Sequence, residues 1–190
     1  MTQPLAATLW PATPANRLIR GATLAVLGTA ILLLASKIAV PLPPVPITMQ
    51  TYAVLLIGMI YGARLGAATI LLFIAEGLAG LPVFAGAKPG TLVLIGPTAG
   101  YIYGWVVAAF LVGWLGERGW GRSVPRLIAA MLAGNAVIYL FGLPWLAAFI
   151  GPKAALTAGL APFVIGDALK LVLAALTVRA LSRITPPRGA

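Results

Sequence analysis

The chain of 190 residues contains no cysteine and no histidine. Disulfides, haem thioether links and thiolate metal sites are thereby excluded, and the commonest metal ligand and acid–base group is missing as well. Charge is scarce too: charged residues make up 8% of the chain, and only three are acidic. A soluble domain carries about 25–35% charged residues on its surface, so a free-standing water-soluble fold is excluded. Apolar residues take their place at 61%, against roughly 45–50% in soluble proteins even with glycine counted. The composition describes an all-α integral membrane protein. At ~20 residues per crossing and ~30 Å of hydrocarbon, the length holds about six or seven spans in one compact domain.

Thirteen lysines and arginines give a net charge of +10. No basic run with interleaved aromatics offers a groove for a nucleic-acid strand, so no nucleic-acid partner is expected and the charge is read as topology. The polar, proline-broken residues 1–16 lack the basic start, short apolar stretch and cleavage site of a signal peptide. They read as a frayed cytoplasmic tail, as do residues 184–190.

Hydropathy divides residues 17–183 into six transmembrane helices, at about 18–40, 47–62, 65–81, 98–116, 127–150 and 157–181. The first ends at Pro41-Leu42-Pro43-Pro44-Val45-Pro46, where four prolines in six residues remove backbone donors and fix φ. The second helix is expected directly after Pro46. Residues 82–97, with Gly86, Pro89, Gly90 and Gly96, read as a structured loop or lid. Pro144 predicts a kink near Leu143. With both termini inside, nine arginines (Arg17, Arg20, Arg64, Arg118, Arg122, Arg126, Arg179, Arg183 and Arg188) lie on the cytoplasmic side, and Lys37, Lys88 and Lys153 lie outside. Nine against three is a strong positive-inside bias.

Ionisable groups within spans are costly, at ~2.5–3.5 kcal/mol each near the centre, and usually face a cavity or one another. Asp167 and Lys170 share one face of the sixth span at i, i+3, and about 15 Å of helix separates Asp167 from its outer end. Glu76 lies roughly 8 Å below the outer surface on the third span. Asn135 sits at middle depth on the fifth, with Tyr139 one turn later on its face. All five are expected to point into one cavity open to the outside. An ion pair that only neutralises Asp167 and Lys170, and an interhelical bond from Asn135, are the plainer readings of the same residues.

Phe84 and Lys88 in the glycine-bearing loop suit a lid, with Lys88 at the rim to meet a carboxylate. Thr48, Gln50 and Thr51 are placed at the same mouth, although N-capping also explains Thr48. Trp145, near the outer end of its span, is a candidate cavity wall, whereas Trp10, Trp105, Trp114 and Trp120 need no more than anchoring or packing. Gly21, Ala25 and Thr29 recur every fourth residue on span one, a small-residue face that admits another helix, from a partner or from the same bundle.

Several blocks together resemble the BioY family, the biotin-binding S components of energy-coupling factor (ECF) transporters. They are Pro46-Ile47-Thr48-Met49-Gln50-Thr51, the run from Glu76-Gly77-Leu78 to Phe84-Ala85-Gly86, Gly96-Pro97-Thr98-Ala99-Gly100-Tyr101, and Gly166-Asp167-Ala168-Leu169-Lys170. Gly134-Asn135 and Ile138-Tyr139-Leu140-Phe141-Gly142-Leu143-Pro144-Trp145 look like the family's fifth span. The resemblance implies an ECF S-component-like fold with cytoplasmic termini, a multi-pass place in the cell (inner) membrane, and a vitamin site near the outer face. It assigns Asp167 to the ureido N–H groups of biotin, Asn135 or a backbone group to its carbonyl, Phe84, Tyr139 or Trp145 to its rings, and Lys170 or Lys88 to its carboxylate. It also implies a transmembrane T component docked on span one, and two cytoplasmic ATPases that use ATP. No phosphate-cradling G-x-x-x-x-G-K-[ST] loop occurs in this chain, so no cofactor, metal or catalytic residue is expected here.

Three rivals are weighed against this reading. A membrane enzyme would have only Asp, Glu, Lys or hydroxyl chemistry available. A stand-alone ion-coupled secondary transporter of a small vitamin-like anion would use Asp167 and Glu76 as ion sites. An S component for another vitamin conflicts with the Asp-x-x-Lys element and the loop pattern. The residues leave open whether the chain works alone, as a homo-oligomer or with shared ATPases.

Overall fold

The computed structural model describes residues 4–11, 13–86 and 88–184. Arg188, Ala87 and residues 185–190 of the expected C-terminal tail lie outside the described residues. The described chain is helical, with a single two-stranded hairpin: α1 (Leu5–Leu9), α2 (Arg17–Lys37), β1 (Ala39–Val40), β2 (Ile47–Thr48), α3 (Gln50–Tyr61), α4 (Ala63–Leu78), α5 (Gly90–Ile95), α6 (Ala99–Glu117), α7 (Val124–Ile150), α8 (Pro152–Gly159) and α9 (Phe163–Ile184). A short 3-10 turn, Trp120–Arg122, joins α6 to α7.

Three helices, α2, α6 and α7, are long and apolar enough to cross a membrane, and α8 with α9 makes a fourth crossing if the pair is taken as one broken span. At 1.5 Å per residue the 21 residues of α2 reach about 32 Å, the thickness of the hydrocarbon. The helices α3 and α4 have 12 and 16 residues and are shorter than a full crossing. They form a hairpin on one residue, Gly62, whose φ of +83° closes α3 and opens α4. Only glycine takes that conformation at little cost. A Cβ there would also lie 2.5 Å from Glu117 Oε1, the atom that accepts the Ala63 N–H at 2.9 Å and so caps α4 from the end of α6.

The elements depart from the sequence expectations in three places. The second helix begins at Gln50 and not at residue 47, because Ile47 and Thr48 pair with Val40 and Ala39. The sixth span is broken: α8 and α9 meet at 46° around residues 160–162, since Pro162 has no N–H to continue the ladder. The helix α7 is continuous over Val124–Ile150 with Pro144 inside it. Part of the supposed frayed tail is ordered as α1, with Ala6 buried and Leu5 packed on the core.

The most buried long helix is α6, which packs against α3, α4 and α7. Glycines permit the close approach: at Gly58 a Cβ would lie 2.6 Å from the Ala109 carbonyl oxygen. Two apolar layers stack along the bundle. One, around Phe73, Trp105, Ile138 and Leu146, surrounds a cavity. The other, around Met59, Val112, Met131 and Val178, fills the end that carries the arginines. Asp167 and Lys170 lie on α9 between Phe163 of the first layer and Leu171 of the second.

Candidate functional site

A cavity of about 560 Å³ opens at the end of the bundle opposite the arginines. Its buried end holds Asp167 and Lys170, which are 6% and 8% exposed. Lys170 Nζ donates to Asp167 Oδ1 at 2.9 Å and to Thr51 Oγ1 at 3.2 Å. Asp167 Oδ2 accepts a short bond from the Tyr139 hydroxyl and a longer one, 3.3 Å, from Asn135 Nδ2. Three donors thus meet a carboxylate that has about four acceptor positions. This network compensates the cost of holding two charges away from water, and it leaves Asp167 acceptor capacity toward the cavity.

The walls are aromatic and aliphatic: Trp105, Tyr101 and Ile102 from α6, Ile138 and Tyr139 from α7, and Phe163 from α9. Tyr101 packs edge-to-face on Tyr139 with 6.2 Å between ring centroids, and its hydroxyl donates to the Gly159 carbonyl at 3.0 Å. That bond holds the end of α8 against α6. The β1–β2 hairpin brings residues 41–46, Thr48 and Gln50 to the open end, where Phe84 and Lys88 arrive from the α4–α5 loop. Two buried donors on the wall have no partner among the described residues, Gln50 Nε2 and Trp105 Nε1. Lys88 is exposed and forms no ion pair among the described residues. With Asp167 and Lys170 neutralising each other, Lys88 supplies the uncompensated charge of the cavity.

The structure therefore unites Asp167, Lys170, Tyr139 and Asn135, and it sets Gln50, Phe84 and Lys88 in the same cavity wall. Asn135 stands behind Asp167 and does not itself line the cavity, so its amide orients the carboxylate. Glu76 and Trp145 lie outside the cavity, contrary to expectation. On the last turn of α4 it is Gly77, one residue on, that faces inward, and Phe84 occupies the space where a Cβ would be, 2.2 Å away. Trp145 is 38% exposed on the other side of the α6 start, where its indole donates to the Gly96 carbonyl at 3.0 Å.

The loop after α4 is tied down over its first half. Val83 and Phe84 are buried, Phe84 meets Phe73 edge-to-face at 5.3 Å, and Lys37 donates to the Pro82 and Phe84 carbonyls. Of the small-residue stripe on α2, Gly21 and Ala25 are half-buried, whereas Thr29 is 4% exposed and turned into the bundle. The wall residues that were not anticipated include Trp105, Tyr101 and Phe163. A signal existed for two of them: Thr98, Tyr101, Ile102 and Trp105 recur at helical spacing on one face of α6.

The sequence profile of the BioY family matches residues 5–187. The chain belongs to the BioY family. It is 36% identical over 161 residues to the biotin transporter BioY of Thermotoga maritima, covering 84% of this chain and 94% of that one. It is 40% identical over 147 residues to the biotin transporter BioY of Rhizobium etli, covering 73% and 78%. The crystal structure of the S-component for biotin from an ECF-type ABC transporter superposes with a TM-score of 0.80 at 28% identity, over 90% of this chain and 95% of that one. The BioY fold is thus shared across the whole domain, and the chain is a multi-pass membrane protein.

Proposed function

We propose that this BioY-family chain is the biotin-binding component of a vitamin uptake system, a transport protein and not an enzyme. The observation that carries the reading is the buried end of the cavity. There a carboxylate held by Lys170, Tyr139 and Asn135 offers a free acceptor position to a ligand N–H, within apolar walls. Biotin has complementary chemistry: two ureido N–H donors, one carbonyl, an apolar thioether ring and a carboxylate tail. Asp167 takes a ureido N–H. Gln50 and Trp105 supply donors for the carbonyl, Phe84, Tyr139 and Phe163 cover the rings, and Lys88 at the mouth meets the tail carboxylate.

The same reading sets six crossings, with α3 and α4 as the two short ones and α8–α9 as one bent one, and both termini in the cytoplasm. The protein then sits in the cell (inner) membrane with its cavity outward. It delivers biotin inward with an ECF T component docked on α2, through Gly21 and Ala25, and with two ATPases that use ATP. The resemblance of the fold to an ECF S-component supports this assembly.

Equilibrium binding of labelled biotin to the purified full chain in detergent tests the reading, with thiamin and riboflavin as competitors. Tight binding that neither vitamin displaces is expected. A folded chain that binds no biotin overturns the assignment and leaves Asp167 and Lys170 as a structural ion pair.

A further inference from the structure

Lys37 is the last residue of α2, just before the chain turns into the β1–β2 hairpin. A lysine there ordinarily caps the last carbonyls of its own helix or stands free as a solvated charge. The Lys37 ammonium instead donates to the Pro82 carbonyl at 2.9 Å and to the Phe84 carbonyl at 3.3 Å, 45 and 47 positions along the chain. Two of its three N–H donors are spent on one short segment of the α4–α5 loop.

That segment has little else to hold its backbone. Pro82 has no N–H, and the Val83 N–H reaches the Leu81 carbonyl at 2.8 Å. Among the described residues no backbone–backbone hydrogen bond reaches Phe84, Ala85 or Gly86. The same segment nevertheless carries part of the cavity wall: Phe84 lines the cavity, and both it and Val83 are buried. The Phe84 ring stands edge-to-face on Phe73 of α4, and Phe73 in turn lies 6.5 Å from the ring of Trp105, another wall residue. The backbone of this wall is therefore fixed from α2 and its side chain from α4. A shift of Phe84 would pass through Phe73 to Trp105.

We infer that Lys37 is a positioning residue of the cavity: its ammonium holds the backbone of residues 82–84 so that Phe84 stays in the wall, and it thereby sets how long a ligand remains bound. Lys37 does not itself line the cavity, so it acts through Phe84. A wall released from its clamp acts chiefly on the departure of a ligand, where most affinity differences between related complexes arise. The effect on dwell time rests on the biotin reading above, whereas the hold on the segment does not.

The absence of cysteine permits a direct test in the full chain purified in detergent. Val83→Cys places a buried thiol between the two gripped carbonyls, and N-ethylmaleimide should modify it slowly. Adding Lys37→Met, which keeps the stem and removes the donors, should raise the labelling rate about tenfold. Adding Lys37→Arg, which supplies donors again, should restore slow labelling. Ala85→Cys serves as the reporter if Val83→Cys does not fold. Without the reporter, Lys37→Met should release labelled biotin about tenfold faster, with the association rate and the melting temperature nearly unchanged. Lys153→Met, which removes a charge from the same end, should change none of these rates. In a Phe84→Ala background Lys37→Met should add little to the dissociation rate, because the two act through one contact. Equal labelling with and without Lys37 overturns the proposal, and so does faster labelling with unchanged biotin dissociation. A wild type that binds no biotin overturns the biotin reading alone, and the labelling rates then decide whether Lys37 holds the wall.

Discussion

Asp167 carries two tasks that separate experimentally. Breaking a buried pair by removing one partner costs about 3–5 kcal/mol, so Asp167→Asn and Lys170→Ala should each lower thermal stability. The double variant Asp167→Asn with Lys170→Met removes both charges and should recover much of that loss. Biotin binding should stay absent in the double variant, at least about a hundredfold weaker than wild type, because no carboxylate is left to accept the ureido N–H. Recovery of binding together with stability would reduce the pair to a structural role. Tyr139→Phe removes one charge-assisted bond and leaves the ring, so affinity should fall by roughly ten- to a hundredfold, near the 1.5–3 kcal/mol of such bonds. At this scale much was legible in the sequence. Asp167, Lys170, Tyr139 and Asn135 stood out because polar groups in apolar helices are few. Trp105 was not singled out, since an indole in a hydrophobic helix looks like any other packing residue until its N–H is seen without a partner.

Among the elements, the α4–α5 loop depends on one glycine. The position of Phe84 under Gly77 sets the cavity wall, and a Cβ at Gly77 would stand 2.2 Å from the ring. Overpacking of this kind costs about 1–3 kcal/mol. Gly77→Ala should lower the melting temperature and weaken biotin binding together, as read by thermal unfolding and equilibrium binding, whereas Gly21→Ala, with nothing within 4 Å, should change neither. Helix ends were less legible than helix centres. The β1–β2 pairing delays the second helix by three residues and Pro162 breaks the last span, because each outcome depends on a partner distant in sequence or on how the bundle closes. The tight turn at Gly62 was visible as a gap between two apolar runs. Its exact anchor, Glu117, was not.

For the whole molecule, the orientation in the membrane can be tested cleanly, because the chain has no cysteine. Lys88→Cys and Lys153→Cys should react with a membrane-impermeant maleimide added to intact cells, and Arg126→Cys should react only after permeabilisation. The opposite pattern would invert the topology. Uptake of labelled biotin should also cease when the ATPase partners are withheld. Continued uptake coupled to a proton gradient would instead favour a stand-alone secondary transporter.

Composition, hydropathy and charge determined by themselves that the chain lives in a membrane as a helical bundle, and which end carries its arginines. These are properties of contiguous stretches and of solvent transfer, which need no knowledge of neighbours. The cavity was decided only by the tertiary structure. Lys170 reaches Thr51 across 119 positions of sequence and Asn135 reaches Asp167 across 32. Glu76 and Trp145, chemically as suitable as the residues chosen, were excluded from the cavity. A helical side chain's direction changes by about 100° per residue, so one position along α4 separates Gly77, packed on the wall residue Phe84, from Glu76, and only packing selects between them.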